Sequence, residues 1–336
     1  MNHRVLFRVD SGKIMGSGHA MRSMALATQL QRDGVDVVLV GTGLKKAQRS
    51  ALSFASLRVE ESDFERVDDD LVAIEEWAPD LVILDGYHFR PELFERIRSQ
   101  GMLVGVIDDN GETQAGEADF VINQNPTADR NLYPRDWEKT QFFLGLDYVI
   151  LRDEFTKRHW QKTKPPTRTV VVAIGGTDSL GIAPKIVKSF LALNLQIWSP
   201  NTQIEARHVT QLNLTSSHLE LFDPLEYPMR LASASFAILG GGSGLYEAIF
   251  CGVPAMALIV ADNQINIARS LVDSGLIFGY VDFRQQSIEN GISAVMERIE
   301  GRQYPGHGQK VTKPPVGFGF GKELLSREIR GILDNH

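Results

Sequence analysis

Arg4-Val5-Leu6-Phe7-Arg8-Val9-Asp10 leads through Gly16-Ser17-Gly18 into His19-Ala20-Met21-Arg22, and the reading of this passage decides the fold. Its apolar, β-branched start reads as a strand over 4–7. From His19 to Gln31 the apolar positions Met21, Met24, Ala25 and Leu30 recur at helical spacing, and Gly34 then offers a C-cap. A second strand follows at 35–40, so residues 10–18 form a strand-to-helix loop.

The same alternation extends outward, with further strands expected at 81–84, 103–107 and 142–144 and helices between them, the pattern of βαβ units in a parallel sheet. Around 157–167 the composition turns to Lys, Gln, Thr and Pro, the best linker in the chain. The pattern then restarts at Thr169-Val170-Val171-Val172-Ala173-Ile174, with strands expected at 169–174, 195–198, 218–222, 236–239, 254–259 and 278–281. A Gly- and Pro-rich loop over 301–320 precedes a last helix near 322–334. The fold class is therefore α/β, with two Rossmann-like parallel-sheet domains facing a central cleft. The first spans 1–157, the second 168–320, and 321–336 is a terminal helix.

Length and composition agree. At roughly 150 residues per domain, 336 residues allow two. Hydrophobic residues at 43% and charged ones at 23% are ordinary for a globular chain and exclude disorder. With 35 Lys and Arg against 42 Asp and Glu, the net charge of −7 supplies no footprint for nucleic acid or an anionic membrane. The single Cys251 excludes an intrachain disulfide and a thiolate metal cluster. Charges interrupt the first apolar stretch too early for a secretory signal, and no integral membrane segment is visible, which points to the cytoplasm.

Ligands of parallel sheets bind at the carboxyl ends of the strands. In the first such loop, small residues let a ligand approach the backbone, and the helix mouth offers unpaired N–H groups to an anion. His19 sits there, an imidazole suited to general-base work. Three glycine-loop readings fail. A dinucleotide fingerprint lacks its third glycine and its ribose-binding acid, a P-loop lacks Gly-Lys-Ser/Thr, and a nucleotidylyltransferase signature would need a histidine at Gly16.

The second cluster, Gly240-Gly241-Gly242-Ser243-Gly244, again follows a strand and opens a helix. Its backbone N–H groups and the Ser243 hydroxyl suit a diphosphate held without a metal, and Glu247, one turn on, suits the hydroxyls of a ribose. One strand later Asn263 and Gln264 place two amides at another helix mouth, as sugar or phosphate binders.

These pieces together resemble a family: the UDP-sugar hydrolases of the pseudaminic acid pathway and the related spore-coat polysaccharide proteins, of GT-B architecture. The resemblance runs from about Arg4 to Tyr280. It rests on Phe7-Arg8-Val9-Asp10, Gly16-Ser17-Gly18-His19-Ala20-Met21-Arg22, Asp85-Gly86-Tyr87, Ile107-Asp108-Asp109, Asn123-Gln124-Asn125, Leu151-Arg152-Asp153-Glu154-Phe155, Ile174-Gly175-Gly176-Thr177-Asp178, the triple-glycine turn with Glu247, and Ala261-Asp262-Asn263-Gln264. It implies that His19 activates water for inverting attack at the anomeric carbon, with UDP leaving. Arg22, Tyr87, Asn263 and Gln264 would contact the substrate's sugar. Gly18, Gly176, Gly241, Gly242, Ser243, Gly244 and Glu247 would hold the UDP, with Phe222 edging the uracil. No metal or cofactor is implied, and the partner is a UDP-sugar.

The chain departs from the family at two places. Gly86 stands where a His is common between the Asp and Tyr of the DxY motif, with His88 just beyond. The stretch Gly317-Phe318-Gly319-Phe320-Gly321 and its Pro-rich loop replace a shorter turn. Asp108 and Asp109, adjacent in sequence, read as a strand-end turn, and His159, His208, His218 and His307 show no metal-ligand spacing. Two rivals remain on the sequence: an inverting UDP-sugar glycosyltransferase, and a nucleotide-sugar binder without activity.

Overall fold

The computed structural model describes residues 3–12, 17–49, 51–61, 67–109, 111, 117–156, 168–175, 178, 180–193, 195–204, 206–211, 218–301 and 312–336. The chain divides into two compact units, Met1–Thr156 with Pro315–His336, and Lys157–Pro314.

In the first unit β1 (Arg4–Val9), β2 (Asp36–Gly41), β3 (Arg58–Glu61), β4 (Leu81–Asp85), β5 (Leu103–Ile107), β6 (Phe120–Asn123) and β7 (Gln141–Leu144) form one sheet. Its order is β3-β2-β1-β4-β5-β6-β7, with every pair parallel. Alternation sorts β1 between the two faces. Val5, Phe7 and Val9 pack with Met24, Leu26 and Leu30 of the helix Gly18–Arg32, while Leu6 packs with Leu71, Ile74, Phe94 and Ile97 on the other side. Two strands escaped the sequence reading. β3 is largely exposed and carries little apolar signal, and β6 is a short strand whose Phe120 lies over Gly105. A Cβ at Gly105 would lie 2.1 Å from that ring.

In the second unit β8 (Thr169–Ala173), β9 (Gln196–Pro200), β10 (Leu219–Phe222), β11 (Phe236–Gly240), β12 (Ala255–Ile259) and β13 (Gly279–Asp282) are ordered β10-β9-β8-β11-β12-β13. They are again all parallel. In both sheets the strand order reverses beside the first strand, at β1/β4 and at β8/β11, and such reversals open a crevice at the carboxyl ends of the strands. The β1/β4 reversal carries His19, Asp85 and Tyr87, and the β8/β11 reversal carries the triple-glycine turn.

The end of the chain differs from the sequence reading, which closed the second domain at 320 and set 321–336 apart. Pro315–His336 belongs to the first unit. Its helix Gly321–Asp334 buries Leu325, Ile329 and Leu333 in the core beneath β1, each worth about 2 kcal/mol. Lys322 is wholly buried and donates to Asp153 at 2.5 Å and to the Leu151 carbonyl at 3.0 Å. Ser326 donates to Asp33 at 2.6 Å. Gly321 permits the approach, since a Cβ there would meet the Val149 carbonyl oxygen at 2.4 Å. Among the described residues no helix is long and apolar enough to cross a membrane.

A buried cation that loses its partner, or leaves one behind, costs several kcal/mol. Lys322→Met should therefore lower the unfolding free energy of the first unit by about 3 kcal/mol in urea titrations, and an unchanged midpoint would contradict the role given to this helix.

Candidate active site

The helix Gly18–Arg32 is the first to follow β1, and Ser17 makes no side-chain cap to its first turn. Gly18 has open space where a Cβ would stand. His19, Arg22 and Ser23 are spaced i, i+3 and i+4, so they share one helix face. All three converge on Asp85, the last residue of β4. His19 Nδ1 lies 2.6 Å from Asp85 Oδ1. Arg22 donates to both Asp85 oxygens, Nε at 2.9 Å and Nη2 at 2.7 Å, and the Ser23 hydroxyl donates at 2.7 Å. Arg22 Nη1 reaches on to Asp109 Oδ1 at 2.5 Å, and the Tyr87 hydroxyl donates to Asp109 Oδ2 at 2.6 Å. Asn125 anchors the Asp109 carbonyl at 2.8 Å.

Buried charges need such pairing. Burial alone would lift Asp85, yet Arg22 and then His19 hold its carboxyl far below the usual carboxylate range. Burial likewise opposes the charge on Asp109, and Arg22 overcomes it. Against its own burial, Arg22 is raised well above its usual value by Asp109 and Asp85. The two carboxylates and the guanidinium are thus ionised together, a rigid base under the two groups they present.

Those groups are His19 and Tyr87. An ionised carboxylate only accepts, so an imidazole nitrogen 2.6 Å from one must carry a proton, and Arg22 Nη2, itself a donor 3.1 Å from the same nitrogen, is then a close neighbour and not its hydrogen-bond partner. His19 therefore keeps a proton on Nδ1, and Nε2 has no partner among the described residues. Tyr87 stands edge-on to the imidazole, ring centroids 4.9 Å apart, and is half exposed.

In the second unit Gly241 has no room for a side chain, because a Cβ would lie 2.7 Å from Cβ of Gln264 and 3.0 Å from Ile259 Cδ1. Gly242 faces open space. Ser243 precedes the helix Gly244–Cys251 without capping it by its side chain, and Glu247 lies buried in the first turn. Asn263 opens the helix Asn263–Asp273. Gln264 Oε1 accepts from Val260 N at 2.8 Å and Ala261 N at 3.3 Å and so fixes its own turn. Phe222 is buried beneath the Arg230 guanidinium, 5.7 Å from its ring, so any base-edge contact at this strand end falls to backbone. Gly176 and Gly16 lie outside the described residues.

Asp85 and Asp109 were not singled out on the sequence as site residues. The turn reading suits Asp108, which accepts from Gly111 N at 2.7 Å and Tyr133 at 2.8 Å. Asp109 instead meets Arg22 and Tyr87. Among the described residues no group of His, Cys, Asp and Glu has a metal-binding arrangement.

No family profile matches the chain. It is similar to an uncharacterized protein, MJ1062, of Methanocaldococcus jannaschii, 23% identical over 281 residues, covering 78% of this chain and 56% of that protein. It is also similar to the spore coat polysaccharide biosynthesis protein SpsG of Bacillus subtilis, 28% identical over 147 residues, or 40% of this chain and 42% of SpsG. The chain thus spans about half the length of these two. The UDP-2,4-diacetamido-2,4,6-trideoxy-beta-L-altropyranose hydrolase of Campylobacter jejuni is 24% identical over 283 residues, 81% of this chain and 97% of that enzyme. The resemblance seen in the motifs is thereby present along most of the chain. Among solved structures, MurG of Acinetobacter baumannii superposes with a TM-score of 0.66 at 15% identity, covering 98% of this chain and 100% of that one. The UDP-GlcNAc 2-epimerase of Neisseria meningitidis, bound to UDP-GlcNAc, gives 0.66 at 13% identity with the same coverage. The fold is that of the GT-B glycosyltransferases and epimerases.

Asp85 tests the network. Its depressed pKa means that its stabilisation is complete above the unfolded-state value near about 4 and fades as pH falls below it. Asp85→Asn should cost about 3 kcal/mol in urea unfolding at pH 7, and the gap from the parent protein should narrow at pH 3. A gap independent of pH would contradict the assignment.

Proposed function

We propose that this chain hydrolyses a UDP-activated acetamido deoxy sugar with inversion, releasing UDP and a free sugar for surface polysaccharide or nonulosonic acid synthesis. The observation that carries the reading is the open Nε2 of His19, backed through Nδ1 by a fully buried, ionised Asp85. Nε2 takes a proton from water as that water attacks the anomeric carbon. The imidazolium that forms is met at once by Asp85, which stays ionised and holds the ring in its orientation.

The leaving group requires little proton chemistry, because a nucleoside diphosphate is stable as an anion and mainly needs fixed donors. In this reading those donors are the N–H groups at Gly242, Ser243 and Gly244 and the dipole of the helix that follows, which take the place of a metal, while Gly241, whose N–H donates to the Leu258 carbonyl at 3.0 Å, shapes the turn. Glu247 holds the ribose hydroxyls. Arg22 acts indirectly, through Asp85 and Asp109, and Tyr87 and Asn263 contact the sugar. The similarity to a UDP-sugar hydrolase over 81% of this chain supports the choice of hydrolysis over transfer.

Incubation with a panel of UDP-sugars, followed by NMR for UDP release and anomeric configuration, tests this. We expect release without an added acceptor, undiminished by EDTA, and a loss of about 10² to 10⁴ in rate for His19→Leu. UDP release only when a sugar acceptor is supplied would replace the hydrolase by a transferase. Full activity in His19→Leu would remove the base assignment. In the second unit Gly241→Ala should raise KM for the UDP-sugar with the fold retained, because the new methyl displaces Gln264 and with it the turn; an unchanged KM would argue against a diphosphate role for this turn.

A further inference from the structure

A second imidazole stands beside the first. His88 Nε2 lies 3.3 Å from Asp10 Oδ2, at the end of β1. Asp10 Oδ1 accepts from Arg8 Nη1 at 2.6 Å and Thr42 N at 2.8 Å, and Arg8 Nε donates to Asp70 at 2.5 Å. The series His88, Asp10, Arg8, Asp70 parallels the series His19, Asp85, Arg22, Asp109, with a longer contact between its imidazole and carboxylate. Arg8 is 1% exposed on the apolar face shared with Leu6 and Phe89, an expensive place for a guanidinium. Besides Asp70 it holds Asp10, which faces His88, whose side chain is 44% exposed.

Gly86 is what allows His88 this position. A Cβ at 86 would lie 3.1 Å from His88 Cε1, 3.2 Å from His88 Nδ1 and 3.1 Å from Phe89 Cε2. The imidazole has folded back into the volume that a residue-86 side chain would fill. Burial, and then the charge of Arg8, hold His88 below the usual imidazole value, so the ring is neutral at pH 7. Asp10 faces Nε2 and favours the proton there, which leaves Nδ1, without a partner among the described residues, as the acceptor.

We propose that His88, seated over Gly86 and backed by Asp10, is a specificity-determining residue that accepts a hydrogen bond from an N–H or hydroxyl substituent of the sugar. This rests on the hydrolase reading above. His88 does not take part in the chemical step; it selects among sugars that differ in their donors. A site built to accept a hydrogen bond discriminates strongly against an analogue that lacks the donor.

The experiment compares the parent protein, His88→Ala, and the double variant Gly86→His with His88→Ala on UDP-sugars bearing either an acetamido group or no donor at the same carbon. For His88→Ala we expect KM for the donor-bearing sugar to rise roughly tenfold, with kcat and the thermal midpoint nearly unchanged, and the preference over the donor-free sugar to collapse. In the double variant an imidazole placed from 86 into the vacated volume should restore part of that preference. An unaltered KM and sugar preference in His88→Ala, while His19→Leu is inactive, overturns this inference and leaves the hydrolase reading intact. If the parent protein releases no UDP from any sugar, both fall together.

Discussion

One buried carboxylate holds the first unit's site in place. Asp85 ends the strand at the point where the sheet reverses its order, and it collects His19, Arg22 and Ser23 from successive turns of a single helix. An ionised carboxylate in the interior is tolerable only when its oxygens are saturated with donors. Here that requirement and the functional one coincide: the donors that satisfy Asp85 include the ring whose other nitrogen is left open. Asp109 extends the arrangement by binding the far end of Arg22 and the Tyr87 hydroxyl, so the orientation of Tyr87 depends on the same guanidinium.

The two sheets treat charge differently. In the first unit, paired side chains are buried around Asp85 and Asp109 and orient His19. In the second, a turn of small residues and an uncapped helix present backbone dipoles, and Gly241 is small because Gln264 presses against it. Under the proposed function, this reconciles a net charge of −7 with an anionic ligand. Backbone N–H groups can hold a diphosphate where no surplus of Lys and Arg exists.

Much of this was legible in the sequence. Most strands, the two glycine loops and His19 announce themselves through periodicity and small residues at strand ends. The strands that were missed, β3 and β6, are short, one exposed and one seated on Gly105, and neither shows clear alternation. Arg8 extends β1 past the expected end because a charged residue inside an apolar run hides a strand, and only Asp70, far away in sequence, shows that its charge is met. Asp85 was visible as part of a motif but not as the centre of the site, since convergence of three donors is a tertiary fact. The terminal helix was read as separate because Lys322 looks like a surface residue until Asp153 is seen beneath it. Local pattern reports the elements; partners distant in the chain decide which polar residues go inside.

The central claim is that Asp85 fixes the His19 proton on Nδ1 and so leaves Nε2 as the base. Nitrogen-15 NMR of the histidine ring in the full chain at neutral pH reads this directly. The account predicts for His19 the shift pattern of a ring protonated on Nδ1 with a bare Nε2, lost or made mixed in Asp85→Asn. A His19 ring protonated on Nε2 in the parent protein would contradict it.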